Sequence, residues 1–135
     1  MNVLKIKAAF VCEDVRHEQS GKAIYIGVYS ALIYSSAFPV SLALHFVLMN
    51  EIPAPGEYSA KLRVRDEDVD AKPVELTLSA NAAAPILTEL ASFGPILIHA
   101  KKPQQFWLEQ EIEGKWETIG AWNVIPTKLP PPPSG

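Results

Sequence analysis

The chain has 135 residues, 48% hydrophobic and 20% charged, with 12 Pro, 7 Gly and a single Cys. That length suits one domain able to bury a core without disulfides or metal. The apolar share excludes an intrinsically disordered chain, the lone Cys excludes a disulfide scaffold, and a formal net charge of -3 excludes the basic surface of a general nucleic-acid binder.

At the start, Met1-Asn2-Val3-Leu4-Lys5-Ile6-Lys7 sets charges among apolar residues. The uncharged run from Ala8 to Cys12 is shorter than the roughly 7–15 residues of a secretory apolar core. Val11 precedes Cys12 where lipoprotein cleavage wants a small residue. No stretch approaches the roughly 18 uncharged apolar residues of a membrane span. These features predict a soluble, cytoplasmic protein with Cys12 as a reduced, inward-facing small hydrophobe.

Two-residue alternation, the period of strands with one buried face, dominates most of the chain. Leu4, Ile6, Ala8, Phe10 and Cys12 fall on one side of the first segment, Ile24, Ile26 and Val28 on one side of the second, and Leu42, Leu44, Phe46 and Leu48 on one side of the third. Tyr58, Ala60, Leu62 and Val64 alternate with Glu57, Ser59, Lys61, Arg63 and Arg65, which predicts a strand with one solvated face in an antiparallel sheet. Val74, Leu76 and Leu78 continue the pattern. Turn chemistry separates these runs at Gln19-Ser20-Gly21-Lys22, Pro53-Ala54-Pro55-Gly56 and Asp66 to Asp70.

Between Ala82 and Phe93, Ile86, Leu87, Leu90 and Phe93 recur at helical spacing behind Pro85. This segment reads either as one short helix around 85–93 or as an irregular sheet crossing. Glu113-Gly114 suits a tight hairpin between Phe106–Ile112 and Lys115–Val124. Counting back from it pairs Leu108 with Ile119 and Phe106 with Ala121, and places Trp107 and Trp116 on the other face, stacked across the hairpin. The expected fold is all-β: an antiparallel β-sandwich of about eight short strands, Ig-like or C2-like. A single domain is expected over residues 1–126. Pro130 to Pro133 mark 127–135 as a flexible, polyproline-like tail, solvated or presented to an aromatic-lined groove.

The order Cys12-Glu13-Asp14-Val15-Arg16, Gly21-Lys22, Ile26-Gly27-Val28-Tyr29 resembles a family of small bacterial, in part phage-borne, proteins of unknown function. The resemblance extends over most of the chain, through Phe38-Pro39 and the Glu113-Gly114 hairpin. It implies a cytoplasmic, β-rich single domain and brings no catalytic residues.

Three groups are candidate sites. Glu13, Asp14 and Arg16, with His17 and Glu18, form the densest ionisable cluster. It reads as a solvated or locally paired strand end, as a partner contact, or as paired carboxylates for acid–base work. Asp66, Asp68 and Asp70, with Glu67, offer oxygens of the kind calcium takes, but without the Gly and Glu spacing of an EF-hand. Trp107 and Trp116 read as core, as a protein interface, or as a platform for a sugar or another small ligand. His17, His45 and His99 share no metal-ligand spacing. No nucleophile elbow, phosphate loop or dinucleotide fingerprint occurs. The expected function is a non-enzymatic interaction or assembly module that binds a protein or self-associates, without cofactor or nucleic acid; the alternative is a ligand-binding sandwich that holds calcium at the acidic loop, or a sugar or lipid at the aromatic face.

Overall fold

A computed structural model describes residues 2–68 and 70–127, so the Pro-rich segment from 128 onward lies outside the described residues. The strands are β1 (Asn2–Val3), β2 (Lys5–His17), β3 (Ala23–Tyr29), β4 (Leu32–Ser35), β5 (Val40–Ile52), β6 (Gly56–Asp66), β7 (Val74–Ala82), β8 (Ile86–Ala100), β9 (Gln104–Ile112) and β10 (Lys115–Pro126). They form two sheets, one of six strands and one of four, and the described residues hold no helix. The architecture is therefore all-β and sandwich-like. The smaller sheet runs β3-β2-β5-β8 and is antiparallel throughout. The larger is mixed rather than purely antiparallel: β7, β6, β9 and β10 pair antiparallel, while β1 joins β6 and β4 joins β10 in parallel.

One core joins the two sheets. Phe46 of β5 stacks on Phe93 of β8 with centroids 5.1 Å apart, and meets the edges of Trp122 of β10 at 5.7 Å and Phe106 of β9 at 6.3 Å. Such pairs contribute about 0.5–1.5 kcal/mol each beyond their buried area. Tyr58, Ala60, Leu62 and Val64 all face this core, as their alternation requires. The Glu113-Gly114 turn has φ of 51° and 81°, the pair of positive values of a type I′ hairpin.

Of the four register shifts in the ladders, three change what the sequence pattern predicts. Ile6 pairs with Asn50 and Ala8 with Met49, so Lys7 is an extra residue on β2. Past it the inward set switches. Leu4, Ile6 and Val11 join the core, whereas Cys12 pairs with His45 and is buried outside the core cluster. Near the closing hairpin, Thr118 pairs with Glu109 but Gly120 with Leu108, so Ile119 is the extra residue. Phe106 therefore faces Trp122, not Ala121, and the Trp122 ring takes the space that a Cβ on Gly120 would fill, 2.6 Å from its nearest atom.

The third bulge corrects the helix reading at 85–93. That segment is the first half of β8, paired to β5 from Ile52↔Ile86 to Val40↔Ala100. Glu89 faces Asn50 and Ile86 faces Ile52, which leaves Leu87 and Thr88 opposite Glu51 alone. The bulge brings Leu87 and Leu90, three apart, to one face of a strand, and so imitates helical spacing.

Candidate functional site

The two sheets turn very different faces outward. On the larger sheet, Arg63 and Arg65 of β6 donate from Nε to Glu109 Oε1 at 2.7 and 3.0 Å. The Arg63 guanidinium lies 4.3 Å over the Trp116 ring and that of Arg65 4.3 Å over Trp107. Lys61 pairs with Glu111 at 3.2 Å and lies 5.8 Å from the Trp116 ring centre. Trp107 and Trp116 are thus half-buried on the outer face, each capped by an arginine, and do not stack on one another; Trp122 is the core tryptophan. This face is a ladder of cations, rings and carboxylates in which each tryptophan is capped by an arginine and both arginines are tied to Glu109.

Glu13, Asp14 and Arg16 lie on β2, where the β2–β3 hairpin accounts for the sequence around them. Tyr29 donates to Glu13 at 3.1 Å, and the Glu13 side chain lies across Gly27, whose φ is +66°. A Cβ there would sit 2.7 Å from Glu13 Cδ. Burial pushes the Tyr29 hydroxyl above its ordinary range, helped by the Glu13 carboxylate. Asp14 Oδ1 accepts the Val15 amide at 2.9 Å, and the carboxylate stands 3.8 Å from both Arg16 and His45. Cys12 donates to the Asp14 carbonyl at 3.4 Å, and burial raises its thiol, the opposite of what a nucleophile requires. His17 is exposed at the strand end.

At the acidic loop, Asp66 accepts the Asp68 amide at 2.8 Å, Asp68 accepts the Asp70 amide at 3.0 Å, and Glu67 accepts the Gln105 amide at 2.9 Å. These carboxylates build the turn and tie it to β9. Among the described residues no three His, Cys, Asp or Glu side chains are placed to hold one metal ion. A cavity of about 350 Å³ beside the loop is lined by Glu67, Asp68, His99, Lys101, Lys102 and Gln104, a mixed-charge set on the surface.

The face with unmatched apolar groups belongs to the smaller sheet. Leu97 pairs with Ala43 and Leu90 with Met49, on the side of β5 opposite its core residues Leu44, Phe46 and Leu48. Leu87 is 75% exposed, Leu97 67% and Leu90 50%. On the far edge, Val28 of β3 is 55% exposed and Ile24 42%. Four of the ten large hydrophobic side chains exposed among the described residues lie on β8, which among those residues pairs with β5 alone and ends its sheet. Sequence reading missed these leucines. The usable signal is charge: from Ala82 to Ile98 only Glu89 is ionisable, far sparser than a solvated edge strand needs.

No helix of the described residues is long and apolar enough to cross a membrane. Comparisons with protein-family models, with curated proteins and with solved structures each find no match.

Proposed function

We propose that the protein is a non-enzymatic interaction module that docks a protein partner on the outer face of the β3-β2-β5-β8 sheet and along the free edge of β8. The observation that carries this reading is the exposure of Leu87, Leu90 and Leu97 on an edge strand with one acidic residue and no lysine or arginine. Solvated edges are normally blunted by charge or shortened, and a long apolar one offers both a backbone ladder and side-chain anchors to a partner. The other candidate groups support the same division of labour. Trp107 and Trp116 are covered by arginines of the same sheet, the Asp66–Asp70 turn binds its own amides, and Glu13 to Arg16 serve the hairpin. The resemblance carried by Cys12 to Tyr29, to small bacterial proteins of unknown function, brings no catalytic residues and agrees with a binding role.

The test compares two baits, the native chain and a Leu87→Lys, Leu90→Lys, Leu97→Lys variant, in co-purification from the native host. The expected result is a protein retained by the first and lost by the second, whose complex re-forms from the two purified components. An identical set of proteins on both baits, with both baits folded by circular dichroism, refutes the reading.

A further inference from the structure

The face of β8 has the layout of a contact between identical chains. We infer that its occupant is a second copy of this chain, the two β8 strands running antiparallel across a two-fold axis near the strand middle. This rests on the reading that β8 docks a protein, and it names that protein.

A two-fold contact must be self-complementary, because one patch meets its own copy. On β8 the exposed leucines flank the middle of the strand, Leu87 and Leu90 toward one end and Leu97 toward the other. Reversing the strand therefore lays apolar side chains against apolar side chains. The charges follow the same rule. Glu89 is the strand's single carboxylate and lies in its first half, while Lys101 and Lys102 directly follow its last residue. An antiparallel pair draws each Glu89 toward the lysine end of the other copy, twice over; a parallel pair would set like ends together.

The strand is also the right edge by elimination. β1 has two residues, β3 seven and β4 four, and the exposed side chains of β7 include Glu75, Thr77, Ser79 and Asn81. β8 has 15 residues and spans about 50 Å at 3.3 Å per residue. Besides the bulge at Leu87–Thr88, it is interrupted at Gly94-Pro95, where Phe93 pairs with Phe46 and Ile96 with Leu44. Proline carries no amide hydrogen to give. Pairing between copies is thus a ladder broken near its centre, with the leucines supplying the affinity and the end charges the direction.

The experiment is light scattering coupled to size exclusion on the full chain between about 10 μM and 1 mM, a range that resolves dissociation constants of that order. A dimer is expected. Leu87→Lys with Leu97→Lys weakens it by about tenfold or more. Glu89→Lys also weakens it, and Glu89→Lys combined with Lys101→Glu and Lys102→Glu restores it. Ser92→Cys cross-links two copies under mild oxidation, against a native background in which Cys12 is fully buried. A monomer throughout the range overturns the proposal, as does a dimer indifferent to both the leucine and the charge changes. A monomer whose native and leucine-substituted baits still capture different host proteins defeats the second copy alone and leaves the docking face standing.

Discussion

Arg63 Nε lies 2.7 Å from Glu109 Oε1, across the β6–β9 pair and under the six-per-cent exposure of the carboxylate side chain. Arg65 reaches the same oxygen at 3.0 Å, so one nearly buried carboxylate anchors two guanidinium groups that each cap a tryptophan. Burial by itself pushes the Glu109 carboxyl up, but the hydrogen bonds and charges of Arg65 and Arg63 outweigh it and hold the group below its ordinary value. A carboxylate lowered in the folded state contributes stability that is complete above its unfolded value of about 4.3 and is lost as pH falls through the folded one. Glu109→Gln should therefore cost about 1–3 kcal/mol at neutral pH, less than a fully buried pair because both arginines keep contact with water. It should also flatten the acid side of the stability profile. Urea unfolding of both proteins at pH 7 and at steps below about pH 4.5 checks this. Parallel acid limbs would remove Glu109 from the role.

Gly27 tests whether the Cys12–Tyr29 sequence pattern is a packing constraint. Its φ of +66° disfavours any side chain, and a Cβ would lie 2.7 to 2.9 Å from three atoms of Glu13. Gly27→Ala is expected to cost about 1–2 kcal/mol for the left-handed backbone alone, plus the displacement of Glu13 from Tyr29. In the background of Glu13→Ala the second part vanishes, so the two substitutions should be less than additive. Strict additivity in thermal unfolding would mean that Glu13 does not rest on Gly27 in solution.

How far the fold is legible in the sequence depends on where bulges fall. The stretch from Tyr58 to Val64 has none, and its alternation carries straight into burial. β2 and β10 each carry one extra residue and β8 two, and each reverses the inward set; nothing in Lys7, Thr88 or Ile119 as residue types marks the reversal. Bulges are decided by how two strands fit across the core, which is a tertiary choice. The same reason hides the exposed leucines of β8. Leu87 and Leu90 look like a helix stripe until the bulge at Leu87–Thr88 turns them outward on a strand. The tryptophans are legible as an outer-face pair, but their arginine caps come from β6, distant in sequence, and their contact depends on a pairing no local pattern specifies. Of the site, the acidic turn reads most directly, because its Asp-to-amide bonds are local.

The Glu113-Gly114 turn offers a stabilising change. Glu113 holds a φ of 51°, and a non-glycine residue tolerates that region better when its side chain is Asn. Glu113→Asn should raise stability by about 0.5–1 kcal/mol, the usual size of a turn-matched substitution. Glu113→Val, β-branched, should lower it by a similar or larger amount. Denaturant midpoints at constant slope decide; a neutral outcome for both would mean that the hairpin turn is not held in the I′ conformation in solution.

Asn50 is the least comfortable side chain in the core. It is fully buried on β5, opposite Ile6 and Glu89, and neither its Nδ2 nor its Oδ1 has a hydrogen-bond partner among the described residues. Gln110 of β9 shows the satisfied alternative: almost as deeply buried, it donates to the Leu4 carbonyl at 2.8 Å. A buried amide without partners costs about 1–3 kcal/mol relative to a group that asks for none. Leucine branches at the same carbon as asparagine and has no polar atoms, so Asn50→Leu is expected to stabilise the protein by about 1–2 kcal/mol. Gln110→Leu, which strands the Leu4 carbonyl, is expected to destabilise it by a comparable amount. Opposite signs for the two substitutions in urea unfolding are the signature. A loss of stability on Asn50→Leu would show instead that the amide is hydrogen-bonded in solution, and that the polarity of this position is structural.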